Sequence, residues 1–155
     1  MGKTARTVPT MPAASLYERD FYAWTIEQAD LLRAGKLSAA DVENIAEEIE
    51  SMGRGEKREL INRLSVLLAH LLKWRFQPER RGHSWTYTIR EQRLQIARLM
   101  KDNPSLRAKT AEAMADAYET ALLAAAEDAG LPENAFPAAC PYSFEQATGA
   151  DFWPD

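Results

Sequence analysis

The chain has 155 residues, 46% of them hydrophobic and 27% charged, which is enough to bury a core without metals or disulfides and excludes a disordered or fibrous class. One cysteine, Cys140, allows no intrachain disulfide and no cysteine-rich metal cluster, which suits a reducing compartment. No apolar run approaches the roughly 20 residues a membrane-spanning helix needs, and the net charge is -4.

Residues 1–14 contain two prolines and small side chains without periodicity, and are expected to form a mobile tail carrying no secretory signal. Residues 15–155 are expected to fold as a single helical-bundle domain. The first helix is expected from Ser15 to Gly35. Ser15 and Glu18 have capping-box spacing, Tyr17, Phe21, Trp24 and Leu31 form a stripe, and Gly35 supplies a left-handed stop. Ser38 and Asp41 signal the start of a second helix. Its expected buried stripe is Val42, Ile45, Ile49 and Met52, its end is Gly53, and its outer face carries Glu43, Glu47, Glu48 and Glu50.

The third helix has the clearest pattern in the chain. Leu60, Ile61, Leu64, Leu67, Leu68, Leu71 and Leu72 recur at i, i+3, i+4, i+7 and predict a wide buried face. Pro78 cannot continue a helix and pushes Gln77 toward extended backbone, so this helix should stop near Phe76. After a turn closed by Gly82, Ser84 is expected to cap a fourth helix with the stripe Trp85, Ile89, Gln92, Ile96 and Leu99. Asn103-Pro104 starts a fifth, whose inner face is Leu106, Met114, Tyr118, Ala121, Leu122 and Ala125 and whose stop is Gly130. The last stretch carries Phe136, Tyr142, Phe144, Phe152 and Trp153 among prolines. It is expected to wrap back onto the bundle, with a short helix capped by Ser143. No strand alternation is present, so the expected fold is all-α: an up-and-down bundle of about five helices with an aromatic, proline-containing C-terminal wrap.

The motifs LYERDFYAW, AEEIESMG, LLAHLLKWRFQPERR, and CPYS with DFWP stand in this order between Leu16 and Asp155. Together they resemble the bacterial family known as domain of unknown function 29. The resemblance implies a compact all-helical bacterial protein, and it carries no activity, ligand or catalytic residue onto these positions.

Charge is unevenly placed. From Lys73 to Arg98 the basic residues are Lys73, Arg75, Arg80, Arg81, Arg90, Arg93 and Arg98 against Glu79 and Glu91, a local +5 that leaves -9 on the rest. Lys73, Arg75, Arg80, Arg81 and His83, interleaved with Trp74, Phe76, Trp85 and Tyr87, are what an anion site with stacking surfaces is built from. The plainer reading has the rings closing the core and Arg80 or Arg81 pairing with the acidic second helix. The binding reading gives a site at Lys73, Arg75, Arg80, Arg81, His83 and Trp85 for an acidic protein or small anion. Nucleic acid is a third reading, opposed by the sign of the whole molecule.

His70 sits just off the apolar arc, where Glu47 or Glu48 of a neighbouring helix would complete a carboxylate–imidazole site, and a metal-dependent enzyme centred on it is the alternative. No Glu-x-x-His pair accompanies it, so a hydrogen-bonded structural histidine and no bound metal are expected. His83 could bind a phosphate, but a solvated loop histidine is the better reading. Cys140 has no base signature beside it, and no G-x-S-x-G, P-loop or G-x-G-x-x-G occurs. The expectation is therefore a cytoplasmic, non-catalytic interaction or regulatory module without a cofactor. Helix faces left over after packing would offer a homodimer surface.

Overall fold

The structure, a computed structural model, describes residues 15–155, and the tail expected over residues 1–14 lies outside them. The described residues are all-α, with α1 (Leu16–Arg19), α2 (Phe21–Arg33), α3 (Val42–Phe76), α4 (His83–Asp102), α5 (Thr110–Ala129) and α6 (Phe144–Thr148). Short 3-10 turns join them, and no helix among the described residues is long and apolar enough to cross a membrane. The chain divides into two compact units, one ending at Ser51 and the other running from Met52 to Asp155. Helix α3 contributes residues to both.

The first unit is held by an aromatic cluster of Tyr17, Phe21 and Trp24 and by polar links. Asp20, not Ser15, caps its main helix: Ser15 makes no side-chain cap bond, whereas the Asp20 carboxylate accepts from the Ala23 N–H at 3.0 Å. Gly35, at φ +70°, then closes α2 as expected. Its N–H donates to the Leu32 carbonyl at 3.0 Å and the Lys36 N–H reaches the Leu31 carbonyl at 2.9 Å, the paired bonds of a Schellman stop. The Trp24 indole N–H donates to the Asp41 carboxylate at 3.2 Å, the Asp41 N–H to the Gln28 amide oxygen at 2.7 Å, and the Tyr17 hydroxyl to Glu48. These bonds turn Asp41, half-buried Ile45 and Glu48, spaced i, i+4, i+7, toward α2. The expected buried stripe is accordingly wrong: Val42 is 60% exposed and Ile49 63%.

In the second unit the leucine stripe forms the core. Leu60, Leu64, Leu67, Leu68, Leu71 and Leu72 are fully buried, with Ile61 packed beside them. At about 25 cal/mol per Å2 of apolar surface removed from water, each such leucine stabilises the fold by about 2 kcal/mol. Ile89, Ile96 and Met100 of α4, Leu106, and Ala113, Met114, Ala117, Tyr118, Ala121 and Ala125 of α5 complete it. Phe136 and Tyr142 are buried, and Phe144, Phe152 and Trp153 pack against the same core, so the C-terminal segment does wrap back.

Three boundaries differ from expectation. The second and third expected helices are one, because Gly53 and Gly55 take helical backbone and are followed by Glu56, Lys57 and Arg58, good helix formers that continue the hydrogen-bond ladder. Helix α4 starts at His83 with extended Gly82 as its cap, two residues ahead of the expected Ser84 cap. Asn103 does not cap by its side chain. Its amide donates to the Leu99 carbonyl and to Glu56, Pro104–Lys109 forms a 3-10 turn, and α5 begins at Thr110. Gly130, at φ +65°, ends α5 and Ser143 caps α6 through a capping box with Gln146, both as expected.

Candidate partner-binding corner

The corner between α3 and α4 is built by the Pro78 stop. Gln77 leaves the helix at φ −131°, its N–H still bonded to the Lys73 carbonyl at 2.8 Å, and Pro78–Arg80 makes one 3-10 turn before Gly82. This brings the six expected site residues into one short segment, where they do different things.

Lys73 is buried. Its ammonium donates to the Asp128 carboxylate on α5 at 2.9 Å and lies 5.3 Å from the Trp85 ring centre, so the charge is met by an ion pair and an aromatic face. Arg81 donates through Nε to the Trp74 carbonyl at 2.7 Å and through Nη2 to the Pro154 carbonyl at 3.4 Å, and it lies over the Trp74 ring. That fork ties the turn to the end of the chain. Arg75 lies 5.2 Å from the Phe76 ring centre; burial raises the pKa of the nearby Tyr142 phenol, and Arg75 opposes that rise. His83 is exposed and stacks on Tyr87, with ring centres 6.2 Å apart. Arg80 is exposed; its backbone N–H donates to the Gln77 carbonyl at 2.9 Å, and its side chain makes no hydrogen bond or ion pair to any described residue.

Lys73, Gln77, Arg80, Trp85 and Asp128 line a cleft of about 220 Å3. Gln77 is only 7% exposed, and its side-chain oxygen is buried without a hydrogen-bond partner. An orphaned buried acceptor is an uncommon feature of a folded protein.

Two residues that matter here escape sequence reading. Asp128 lies 55 positions from Lys73 and had no signal in the sequence. Arg93 counted as one more surface cation, yet it is buried, donating to the Ala147 carbonyl at 2.9 Å and the Phe152 carbonyl at 2.6 Å, with Ala150 at 3.5 Å. Its guanidinium lies over Trp153, and burial pushes its pKa below the ordinary arginine value. The signal was present: Ile89, Arg93, Ile96 and Met100 fall at i, i+4, i+7 and i+11, in the buried register of α4.

His70 is half-buried, and its Nδ1–H donates to the Val66 carbonyl at 2.8 Å, one turn back on its own helix. Burial lowers its pKa, opposed by that carbonyl, with Lys73 lowering and Asp128 raising it further. Glu47 and Glu48, expected on a neighbouring helix, lie on the same α3 as His70. Among the described residues no group of three or more His, Cys, Asp or Glu side chains is placed to hold a metal. The Cys140 thiol donates to the Tyr142 carbonyl at 3.3 Å and burial raises its pKa, which keeps it protonated and a poor nucleophile.

The corner thus leaves the Arg80 guanidinium exposed beside the partly buried indole of Trp85. The model of the family described as domain of unknown function DUF29 matches residues 16–153. No curated protein and no solved structure matches the chain.

Proposed function

This chain belongs to the DUF29 family, and from that premise we propose that it is a non-catalytic helical interaction module of the bacterial cytoplasm, holding an acidic group of its partner at the corner between α3 and α4. The observation that carries the reading is the state of Arg80. Lys73 is neutralised by Asp128 and Arg81 is bound to backbone carbonyls, whereas Arg80 stands exposed on the rim of the cleft. An arginine fork matches a carboxylate with two parallel hydrogen bonds, and the indole of Trp85 lines the same cleft. The net charge of -4 disfavours long-range attraction of nucleic acid, so the anion is assigned to a protein or small molecule.

Calorimetric titration with a polyglutamate peptide tests this. The affinity should fall as salt rises and drop at least about tenfold in Arg80→Glu, since a reversed charge both loses the fork and repels the ligand. Equal binding by the wild type and Arg80→Glu would overturn the assignment of the corner. Turnover of a substrate by purified protein would overturn the non-catalytic part.

A further inference from the structure

We infer that the apolar face spanning α2 and the first turns of α3 docks a second copy of this chain, so that two such helix pairs close into a four-helix bundle. None of the corner residues takes part.

Helix α2 carries two apolar stripes. Trp24 and Gln28 are buried, while Tyr22, Thr25, Ala29 and Leu32 recur beside them at i, i+3, i+7 and i+10, with Ile26 on the same side. On α3, Val42, Ile45 and Ile49 begin the same three-four spacing. The stripes meet where Thr25, Ala29, Leu32, Ile45 and Ile49 line a groove of about 230 Å3 between the helices. Its polar groups are already met within the unit: the Gln28 amide oxygen accepts from Asp41, the Trp24 indole donates to Asp41, and Glu48 accepts from Tyr17. The surface that remains is hydrocarbon. Tyr22 is 76% exposed, and Ile26, Leu32, Val42 and Ile49 are exposed with it. The exposed fractions of these five amount to about three whole side chains, on the order of 300 Å2 per copy at about 100 Å2 each. A two-fold pairing removes about 600 Å2 from water, close to the apolar share, about 700 Å2, of the smallest stable interfaces at about 1,200 Å2.

The size of the unit points to the chain itself as occupant. Residues 15–51 fall below the roughly 40 residues under which a fold usually needs a disulfide, a metal or oligomerisation. Trp24 and Gln28 are their only buried members, they include no cysteine, and no metal-holding group occurs among the described residues. Oligomerisation is the device left, and a two-fold axis pairs one face with itself without requiring a second surface. Helix pairs whose stripes share one spacing then bury all four stripes in one core.

Sedimentation equilibrium of the full chain tests this. A dimer should form over the range from about 1 μM to about 1 mM. Ile49→Glu, at an exposed position, should keep the wild-type circular dichroism and weaken dimerisation at least about a hundredfold, because each interface would bury two unpaired carboxylates. Ile26→Glu should do the same, so the comparison stands even where one variant fails to fold. Arg80→Glu should dimerise like the wild type, which separates failure here from failure of the acidic-partner reading. A full chain that stays monomeric to about 1 mM would overturn the inference, whether residues 1–14 or another protein then cover the face. A dimer that neither glutamate weakens would overturn it as well.

Discussion

Replacing Arg93 by methionine isolates what fastens the C-terminal segment to α4. The side chain is buried, and its two short bonds, to the carbonyls of Ala147 and Phe152, are charge-assisted and contribute about 1.5 kcal/mol each. The 3.5 Å approach to Ala150 lies beyond the usual range and adds little. Loss of the cation over Trp153 adds about 0.5 kcal/mol, while methionine retains most of the packing. Arg93→Met should therefore cost about 3 to 4 kcal/mol, a large part of the roughly 5 to 15 kcal/mol expected of a domain. Urea denaturation followed by circular dichroism gives the loss. Arg93→Lys keeps the charge but not the fork and should lose about half as much. Arg80→Ala, at an exposed site without partners, should stay within about 0.5 kcal/mol of the wild type. An Arg93→Met protein as stable as the wild type, or an Arg80→Ala protein as damaged as Arg93→Met, would refute the division between the two arginines.

Gly53→Ala and Gly55→Ala should each stabilise the protein by about 0.5 to 1 kcal/mol, because both sit in continuous helix and an added Cβ would meet nothing within 4 Å; thermal or urea denaturation measures this, and destabilisation would contradict a helix running unbroken through both. The Tyr118 phenol donates to the Pro137 carbonyl, and burial, with Cys140 and Tyr142 adding, pushes its pKa up to about 12. Its folded pKa lies above the ordinary value of about 10, so its contribution of about 2 to 3 kcal/mol is fully present below pH 10 and is lost as pH rises from there through about 12. Denaturation curves on either side of pH 10 should show a shallower loss in Tyr118→Phe than in the wild type, and identical slopes would refute the assignment.

What could be read from the sequence depended on whether one helix or two had to be considered. The Leu60 to Leu72 stripe, the Pro78 stop and the Gly35 and Gly130 ends are local signals, and the fold follows them. Val42, Ile49 and Met52 were misread because periodicity gives a face but not its partner, and polar bonds from Trp24, Gln28 and Tyr17 selected the face of Asp41 and Glu48 instead. Gly53 was misread because a glycine ends a helix only where the chain then leaves it. At the corner, charge counting marks a basic segment but cannot separate the cations already held by other groups from the one left exposed. That sorting needs Asp128 and the carbonyls of Ala147, Phe152 and Pro154, all distant in sequence.

If Arg80 and its cleft form the recognition surface, amide chemical shifts of the full chain will locate it during titration with the polyglutamate peptide. Perturbations should concentrate between Lys73 and Trp85 and extend to Asp128. Binding that perturbs a different face while leaving these amides unmoved would contradict it.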